Sequence, residues 1–203
     1  MMKHSRGNAC AGRANAIILN GARRDGETAD RLASLAAETL NGEGYCICSF
    51  RLRDLRIEPC LGCFSCWDKT PGLCVIKDEM PALLRAASVS DVLVLTTPLF
   101  CGGYSYELKK AVDRLIPLSL PFFRQENGVT RHVPRYKPPS AYYVLGTQPA
   151  NAQEHAAIFS DLARRNALNM HAPKHGSLIV AEGADTEAIS AQIKNLISGR
   201  GTP

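Results

Sequence analysis

A chain of 203 residues, 45% hydrophobic and 21% charged, is long enough for one domain with a full core and too short for two large ones. No window carries the apolar run needed to cross a bilayer, and MMKHSRGNACAGRANA has basic residues without an apolar core, so residues 1–14 read as a loose extension rather than a signal peptide. The net charge of +5 is spread along the chain, with a mild concentration at Arg131, His132, Arg135 and Lys137 and no nucleic-acid motif, which argues against nucleic acid as a partner.

Eight cysteines without an export signal point to a reducing, cytoplasmic setting, where thiols serve metals or redox chemistry. From the amino terminus, Asn15 to Asn20 (NAIILN) is an apolar run that suits a buried strand. The loop Gly21–Thr28 (GARRDGET) follows, then a helix with Leu32, Leu35, Ala36, Thr39 and Leu40 at helical spacing and a stop at Asn41-Gly42. Tyr45 to Leu52 reads as a second strand, with Cys46 and Cys48 as core thiols. After a cysteine-bearing loop, Asp78 is placed to cap a short helix that tolerates Pro81 in its first turn and turns Leu83, Leu84 and Ala87 inward. Asp91 to Thr97 (DVLVLTT) is a third strand, and Leu108, Ala111, Val112, Leu115 and Ile116 mark the apolar face of the helix after it.

From Ser119 to Pro139 proline and basic content rises and periodicity vanishes, as in a long functional or interface loop. Ala141 to Gly146 gives a fourth strand, Asn151 to Leu168 a helix, Ser177 to Ala181 a fifth strand, and Ile189 to Ile197 a last helix. Five short apolar strands alternating with helices mean a parallel sheet covered on both faces, a three-layer α/β sandwich over 15–199. Five is the strand count of the flavodoxin-like order 2-1-3-4-5, whose ligands lie outside the carboxyl ends of the strands. The loops 21–28, 98–104 and 146–149 then share one crevice.

Three stretches carry candidate chemistry. The first loop ends at a helix amino terminus, where free amides and the helix dipole favour an anion, with Arg23, Arg24 and Thr28 at hand. Alone this is weak, since any strand-to-helix turn needs a glycine and a cap, and neither Walker nor dinucleotide spacing is present. The loop after the third strand offers Pro98, Leu99, Phe100 and Tyr104 around Gly102 and Gly103, which suits a planar, partly apolar ring. Cys101 there reads as packing, and Asp113-Arg114 as a structural ion pair. The third stretch is Cys60, Cys63, Cys66 and Cys74, spaced C-x2-C-x2-C-x7-C. Three cysteines so spaced can wrap one corner of a cuboidal iron–sulfur cluster, with the fourth arriving from farther along. Zinc more often takes two paired knuckles. Free thiols or a redox pair are equally open. No Ser/His/Asp order, paired carboxylate or HExxH run is present, so no catalytic residue is assigned.

These residues resemble the NADPH-dependent FMN reductase family of flavodoxin-like proteins, close to the branch of the iron–sulfur flavoproteins. The likeness lies in IILNGARRDGET, EPCLGCFSCWDKTPGLCVIKDEM, TTPLFCGGYSYELKKAVDR and LPFF…RHVPRY, and it covers the chain from Asn15 to about Val180. It implies FMN, with phosphate contacts from Arg23, Arg24 and Thr28. Ring contacts would come from Pro98, Leu99, Phe100, Gly102 and Gly103, with Gly146 and Thr147 on the far side. Where the family usually has a serine after the first glycine this chain has Ala22, so one phosphate hydroxyl is missing, a loss of about 1 kcal/mol. For the quartet the likeness implies the ligands of a 4Fe-4S cluster, although relatives with a CW-x-x-TPG-x-C run are expected to bind flavin without one.

The resemblance implies an oxidoreductase in which NAD(P)H gives a hydride to FMN and the electrons pass to a small-molecule or protein acceptor. The flavin carries the chemistry. It also implies a homodimer or homotetramer, with 119–139 as the candidate contact. Two other readings are an electron carrier without direct NAD(P)H use, which the basic charge disfavours, and a cysteine-based redox or metal sensor.

Overall fold

In the computed structural model, residues 14–126, 128–150 and 155–199 are described; the extension expected over 1–14, save Ala14, and the helix start expected at Asn151 lie outside them. The chain runs β1 (Asn15–Asn20), α1 (Thr28–Gly42), β2 (Cys46–Arg51), α2 (Met80–Ser88), β3 (Val92–Pro98), α3 (Tyr106–Asp113), β4 (Ser119–Glu126), β5 (Val129–Pro134), β6 (Ala141–Gln148), α4 (Ala156–Asn169), β7 (Lys174–Ala181) and α5 (Thr186–Ile197). Single 3₁₀ turns occupy Leu52–Asp54 and Ile116–Leu118.

The five apolar runs form one parallel sheet in the order β2-β1-β3-β6-β7. Counting only its own strands, this is the expected 2-1-3-4-5. β3 is buried along its whole length and β6 along all but its last residue, because helices cover both faces. Side chains alternate between those faces. Ile17, Leu19, Leu93, Leu95, Tyr142 and Val144 pack against Leu83 of α2, Leu108 of α3 and Phe159 of α4. Ile18, Val94, Tyr143 and Leu145 face Leu32, Leu35 and Ala36 of α1 and Ile189 and Ile193 of α5. Each such Leu, Ile or Phe contributes about 1.5–3 kcal/mol by leaving water, and this burial sets the register of the sheet. No helix among the described residues is long and apolar enough to cross a membrane.

The structure corrects four local expectations. Residues 119–126 and 129–134 pair as a two-stranded antiparallel ribbon, β4 with β5, rather than forming part of an irregular loop. Neither strand is fully buried, so neither shows an apolar alternation, and the register shifts between Ser119 and Phe123, across Pro121. Glu79, not Asp78, immediately precedes α2. The Asp78 carboxylate instead accepts the N–H of Met80 (3.1 Å) and of Glu58 (2.9 Å) and pairs with Arg114. Arg114 therefore has its partner 36 residues away rather than in Asp113, which pairs with Lys109 at 2.6 Å. Cys48 packs against the core outside any disulfide, while Cys46 is disulfide-bonded.

Candidate functional site

The carboxyl ends of β1, β3 and β6 come together because their loops are tied to one another. Gly21 donates its N–H to the Thr96 carbonyl (2.8 Å), and Ser105 donates its hydroxyl to the Gly21 carbonyl (2.6 Å). Ser105 also accepts the N–H of Leu108 as the cap of α3, and its own N–H goes to the Thr97 hydroxyl (2.8 Å). A Cβ on Gly21 would lie 2.6 Å from the Leu108 Cβ and 3.0 Å from the Thr96 carbonyl oxygen, so only glycine lets α3 come this close. On the other side, Leu99 donates its N–H to the Thr147 carbonyl (2.8 Å). The expected neighbourhood of the three loops is thus present. Ser105, which holds two of them, was legible only as a serine preceding an amphipathic run.

Arg23 and Arg24 are exposed in the first loop, and Thr28 opens α1 half-buried. The loop is closed upon itself by this chain's own oxygens. Ala22, fully buried, donates its N–H to Asn20 Oδ1 (2.9 Å). Arg23 donates its N–H to Glu27 Oε2 (2.9 Å), and its Nε lies 3.7 Å from the other oxygen of that carboxylate. Gly26 donates its N–H to Asp30 Oδ2 (3.0 Å). Asp30 further accepts from Asn20 Nδ2 (2.7 Å) and from Arg53 (2.8 Å), which also reaches Asp25. Burial works to raise the Asp30 carboxyl, but the hydrogen bonds from Arg53 and Asn20, the Arg53 charge and the Gly26 N–H outweigh it and hold it below the usual carboxylate range. Asn20, Glu27, Asp30 and Arg53 are parts of this site that sequence reasoning passed over.

Beyond β3 the chain makes a tight turn. Phe100 and Gly103 exchange N–H···O=C bonds of 3.0 and 2.8 Å, with Cys101 (φ 48°) and Gly102 (φ 75°) between them. Two left-handed residues in succession are the mark of a primed turn, and only Gly102 adopts that conformation freely. Pro98 is buried at the end of β3, Leu99 is half-buried, and the Phe100 ring stands out at 66% exposure. Gly102 is buried under Ile158 of α4, whose Cγ2 would lie 3.1 Å from an added Cβ. Gly146 and Thr147 are both buried at the end of β6. Gly146 makes room for the chain itself, since a Cβ there would sit 2.4 Å from Leu99 Cδ1 and 2.9 Å from the Phe159 ring. Gln148, one residue further, has a buried side-chain oxygen with no partner among the described residues.

The cysteine loop leaves the sheet after Asp54 and returns at α2, and its base is locked. Arg114, 1% exposed, pairs with Asp78 and donates to the Glu58 carbonyl (3.0 Å). Across the neck the Glu79 N–H donates to the Arg56 carbonyl (3.1 Å) and the Arg56 N–H to the Glu79 carboxylate (2.7 Å). Burial works to raise the Asp78 carboxyl, but hydrogen bonds from Arg114, Glu58 and Met80 hold it below its ordinary value. Farther out, Trp67 donates its indole N–H to the Ser119 carbonyl (2.9 Å) and stacks on Phe64, which joins the loop to the hairpin. Cys60 and Cys63 are exposed, Cys74 is half-buried and Cys66 is 7% exposed. All four line one recess together with Leu61, Phe64, Val75 and Arg114. Burial and the neighbouring cysteines push the Cys66 thiol up, while the Ser65 N–H and hydroxyl hold the Cys63 thiol down. No three His, Cys, Asp or Glu side chains among the described residues converge to hold a metal ion. The quartet is gathered, therefore, without forming a ligand shell.

The chain is similar to known proteins in part of its sequence and in its fold. An iron–sulfur flavoprotein of Methanocaldococcus jannaschii is 35% identical over 91 residues, 43% of this chain and 46% of that protein. One of Methanosarcina thermophila is 25% identical over 111 residues, 55% and 57% of the two chains. The chain spans about half the length of the curated relatives it matches. Among solved structures, an NAD(P)H:quinone oxidoreductase from Methanothermobacter marburgensis superposes with a TM-score of 0.67 at 13% identity, covering 94% of this chain and 98% of that one. An FMN-dependent NADH-azoreductase from Bacillus anthracis, in complex with FMN, gives 0.65 at 13% identity over 93% and 100%. At such identities these structures establish the fold alone. The family model described as NADPH-dependent FMN reductase matches residues 14–185, the whole sheet with its three loops and the cysteine segment, and to that family this chain belongs.

Proposed function

We propose that this chain is an FMN-dependent oxidoreductase that takes reducing equivalents from NAD(P)H and hands them to a small-molecule or protein acceptor. The observation that carries this reading is the single crevice at the carboxyl edge of the sheet, where the loops after β1, β3 and β6 are tied together in a chain of the FMN reductase family. Bound there, the flavin would accept a hydride and release electrons singly or in pairs. The ring end fits. Phe100 offers an exposed aromatic face, Gly102 and Gly103 leave the turn without side chains, and the unpartnered Gln148 oxygen is an acceptor for the ring's N–H. Pro98, Leu99, Gly146 and Thr147 hold that edge rigid from beneath. At the phosphate end the Ala22, Arg23 and Gly26 amides already serve Asn20, Glu27 and Asp30, which leaves Arg24, the Thr28 hydroxyl and the uncapped start of α1 for the phosphate, with Arg23 lying on Glu27.

A second reading, an iron–sulfur flavoprotein, is favoured by the four cysteines on one recess and by relatives of that name. In it Cys60, Cys63, Cys66 and Cys74 would be the ligands of a 4Fe-4S cluster, drawn closer than they stand here. The exposed Phe123 of the hairpin, which packs on His132 as Trp67 does, and the exposed Phe64 stacked on Trp67 are the apolar surface we assign to a second copy of the chain in a homodimer or homotetramer. Exposed free thiols at Cys60, Cys63 and Cys101 suit a cytoplasmic setting.

The test is a visible spectrum of protein purified without oxygen, before and after NADPH. Two flavin bands that bleach support the oxidoreductase. A broad brown absorbance beneath them, lost in Cys60→Ala, supports the cluster as well. A colourless protein that takes up no added FMN overturns the proposal.

A further inference from the structure

Resting on the flavin reading, we propose that Arg53, in the turn after β2, is a positioning residue for the phosphate end of the site. It draws Asp25 and Asp30 away from the start of α1, so that this helix end receives a phosphate that Arg53 itself does not touch. The first loop carries no surplus of positive charge of its own. The stretch Arg23–Asp30 holds two arginines against three carboxylates, and Arg23 lies on Glu27. Asp30 stands in the first turn of α1. A carboxylate there ordinarily turns to the amides and dipole of the helix start, in direct competition with a phosphate.

Arg53 removes that competitor. Its side chain is 11% exposed, and its guanidinium fork lies across the loop. Nη1 donates to Asp30 Oδ1 (2.8 Å) and to the Ala22 carbonyl (3.5 Å). Nη2 donates to Asp30 Oδ2 (3.2 Å) and to Asp25. The same carboxylate of Asp30 accepts from Asn20 Nδ2 (2.7 Å) and from the Gly26 N–H (3.0 Å). These partners all lie outside α1. Arg51 does less, since its Nη2 lies on Asp54 and its Nη1 stays 3.8 Å from Asp25. What the fork leaves open is what a phosphate needs: the uncapped start of α1, with Thr28 and Arg24 beside it. One arginine holds carboxylates from both sides of the helix start because its donors diverge in a plane. The point charge of a lysine does not span them.

The experiment is a titration of the full chain, stripped of flavin, with FMN and separately with riboflavin, which lacks the phosphate, followed by quenching of flavin fluorescence. Arg53→Met keeps the apolar stem and removes the fork, and circular dichroism checks that it folds. It should weaken FMN by about tenfold or more and leave riboflavin within about threefold. Arg53→Lys keeps the charge without the fork and should weaken FMN by about threefold or more, which carries the test if Arg53→Met does not fold. A double-mutant cycle with Asp30→Asn separates positioning from contact: in that background Arg53→Met should change FMN binding by less than about threefold. An FMN-to-riboflavin ratio that neither Arg53 variant moves overturns the inference, as does an equal loss of both flavins, which marks a merely structural role. Full additivity in the cycle overturns it too, because Arg53 would then touch the phosphate directly. Each of these leaves the flavin reading standing. If the unaltered chain binds neither flavin, the flavin reading itself fails and this inference falls with it.

Discussion

The loop after β1 and the loop between β2 and α2 both carry the residues that first draw attention in the sequence, and they resolve their polar groups in different ways. In the first loop three amides go to side chains no more than four residues away: Ala22 to Asn20, Arg23 to Glu27 and Gly26 to Asp30. In the cysteine loop the side chains of Arg114 and Asp78, both 1% exposed, lock the neck. Backbone bonds such as Lys69 N–H to the Ser65 carbonyl and Gly72 N–H to the Cys66 carbonyl fold the far part on itself, and the sulfurs line an open recess. Even at the neck one donor is left over, since Arg114 Nε is buried without a partner among the described residues. The first loop thus spends amides on its own carboxylates yet leaves its helix end, with Arg24 and Thr28, open, whereas the cysteine loop is folded on itself while its sulfurs face a recess without converging.

Breaking the neck is the most severe way to erase this difference. Arg114→Ala leaves the Asp78 carboxylate buried beside two backbone amides with its cation gone, and removal of one partner of a buried pair costs about 3–5 kcal/mol. Urea unfolding should show that loss. The double variant Arg114→Met/Asp78→Asn removes both charges and should recover much of it, because no lone charge remains buried. A single variant as stable as the parent would mean that the neck is not where the cysteine loop is held.

The two loops were also unequally legible in the sequence. The strands that position them announced themselves: NAIILN, DVLVLTT and AYYVLG are uninterrupted apolar runs, and burial on both faces dictates such runs. The hairpin did not, because an exposed two-stranded ribbon has no reason to alternate and Pro121 interrupts what alternation there is. Cysteine spacing disclosed which sulfurs would be neighbours but not how near they come. Asp113-Arg114 invited a pairing along the chain, yet successive residues on a helix point in different directions, and Arg114 turns inward to Asp78. In the first loop the glycine and the helix start were visible, and so were the arginines. That Glu27 and Asp30 would bend back and take the amides depends on loop conformation, which composition does not encode.

Asp30→Asn tests the other half of the comparison, at a smaller cost. It replaces a carboxylate that accepts from Arg53, Asn20 and Gly26, and hydrogen bonds to a charged group are worth about 1.5–3 kcal/mol. The pH dependence identifies the cause. Arg53 and its companions hold the Asp30 carboxyl below its unfolded value of about 3.9, so its contribution is complete above that pH and is lost as the pH falls through the lower, folded value. Parent and variant should therefore differ at pH 7 and converge in acid. A difference independent of pH would assign the cost to packing rather than to charge.

The smallest effect should come from Trp67→Phe, which probes how firmly the cysteine loop is fastened beyond its neck. Phenylalanine keeps an aromatic ring between Phe64 and His132, whose centroids lie 5.2 and 4.8 Å from the Trp67 ring. It removes only the indole N–H shared between the Ser119 (2.9 Å) and Ile116 (3.3 Å) carbonyls, a neutral hydrogen bond worth about 1 kcal/mol. Because Trp67 is the only tryptophan, the loss has to be read by circular dichroism during urea unfolding rather than by indole fluorescence. A loss of that size, with hydrogen exchange quickened at Gly72, whose amide donates to the Cys66 carbonyl (2.9 Å), would show that the hairpin braces the loop at a second point. No loss would leave the neck as the sole fastening, and the sulfur-bearing end would then be freer to close on a ligand than its contacts with the hairpin imply.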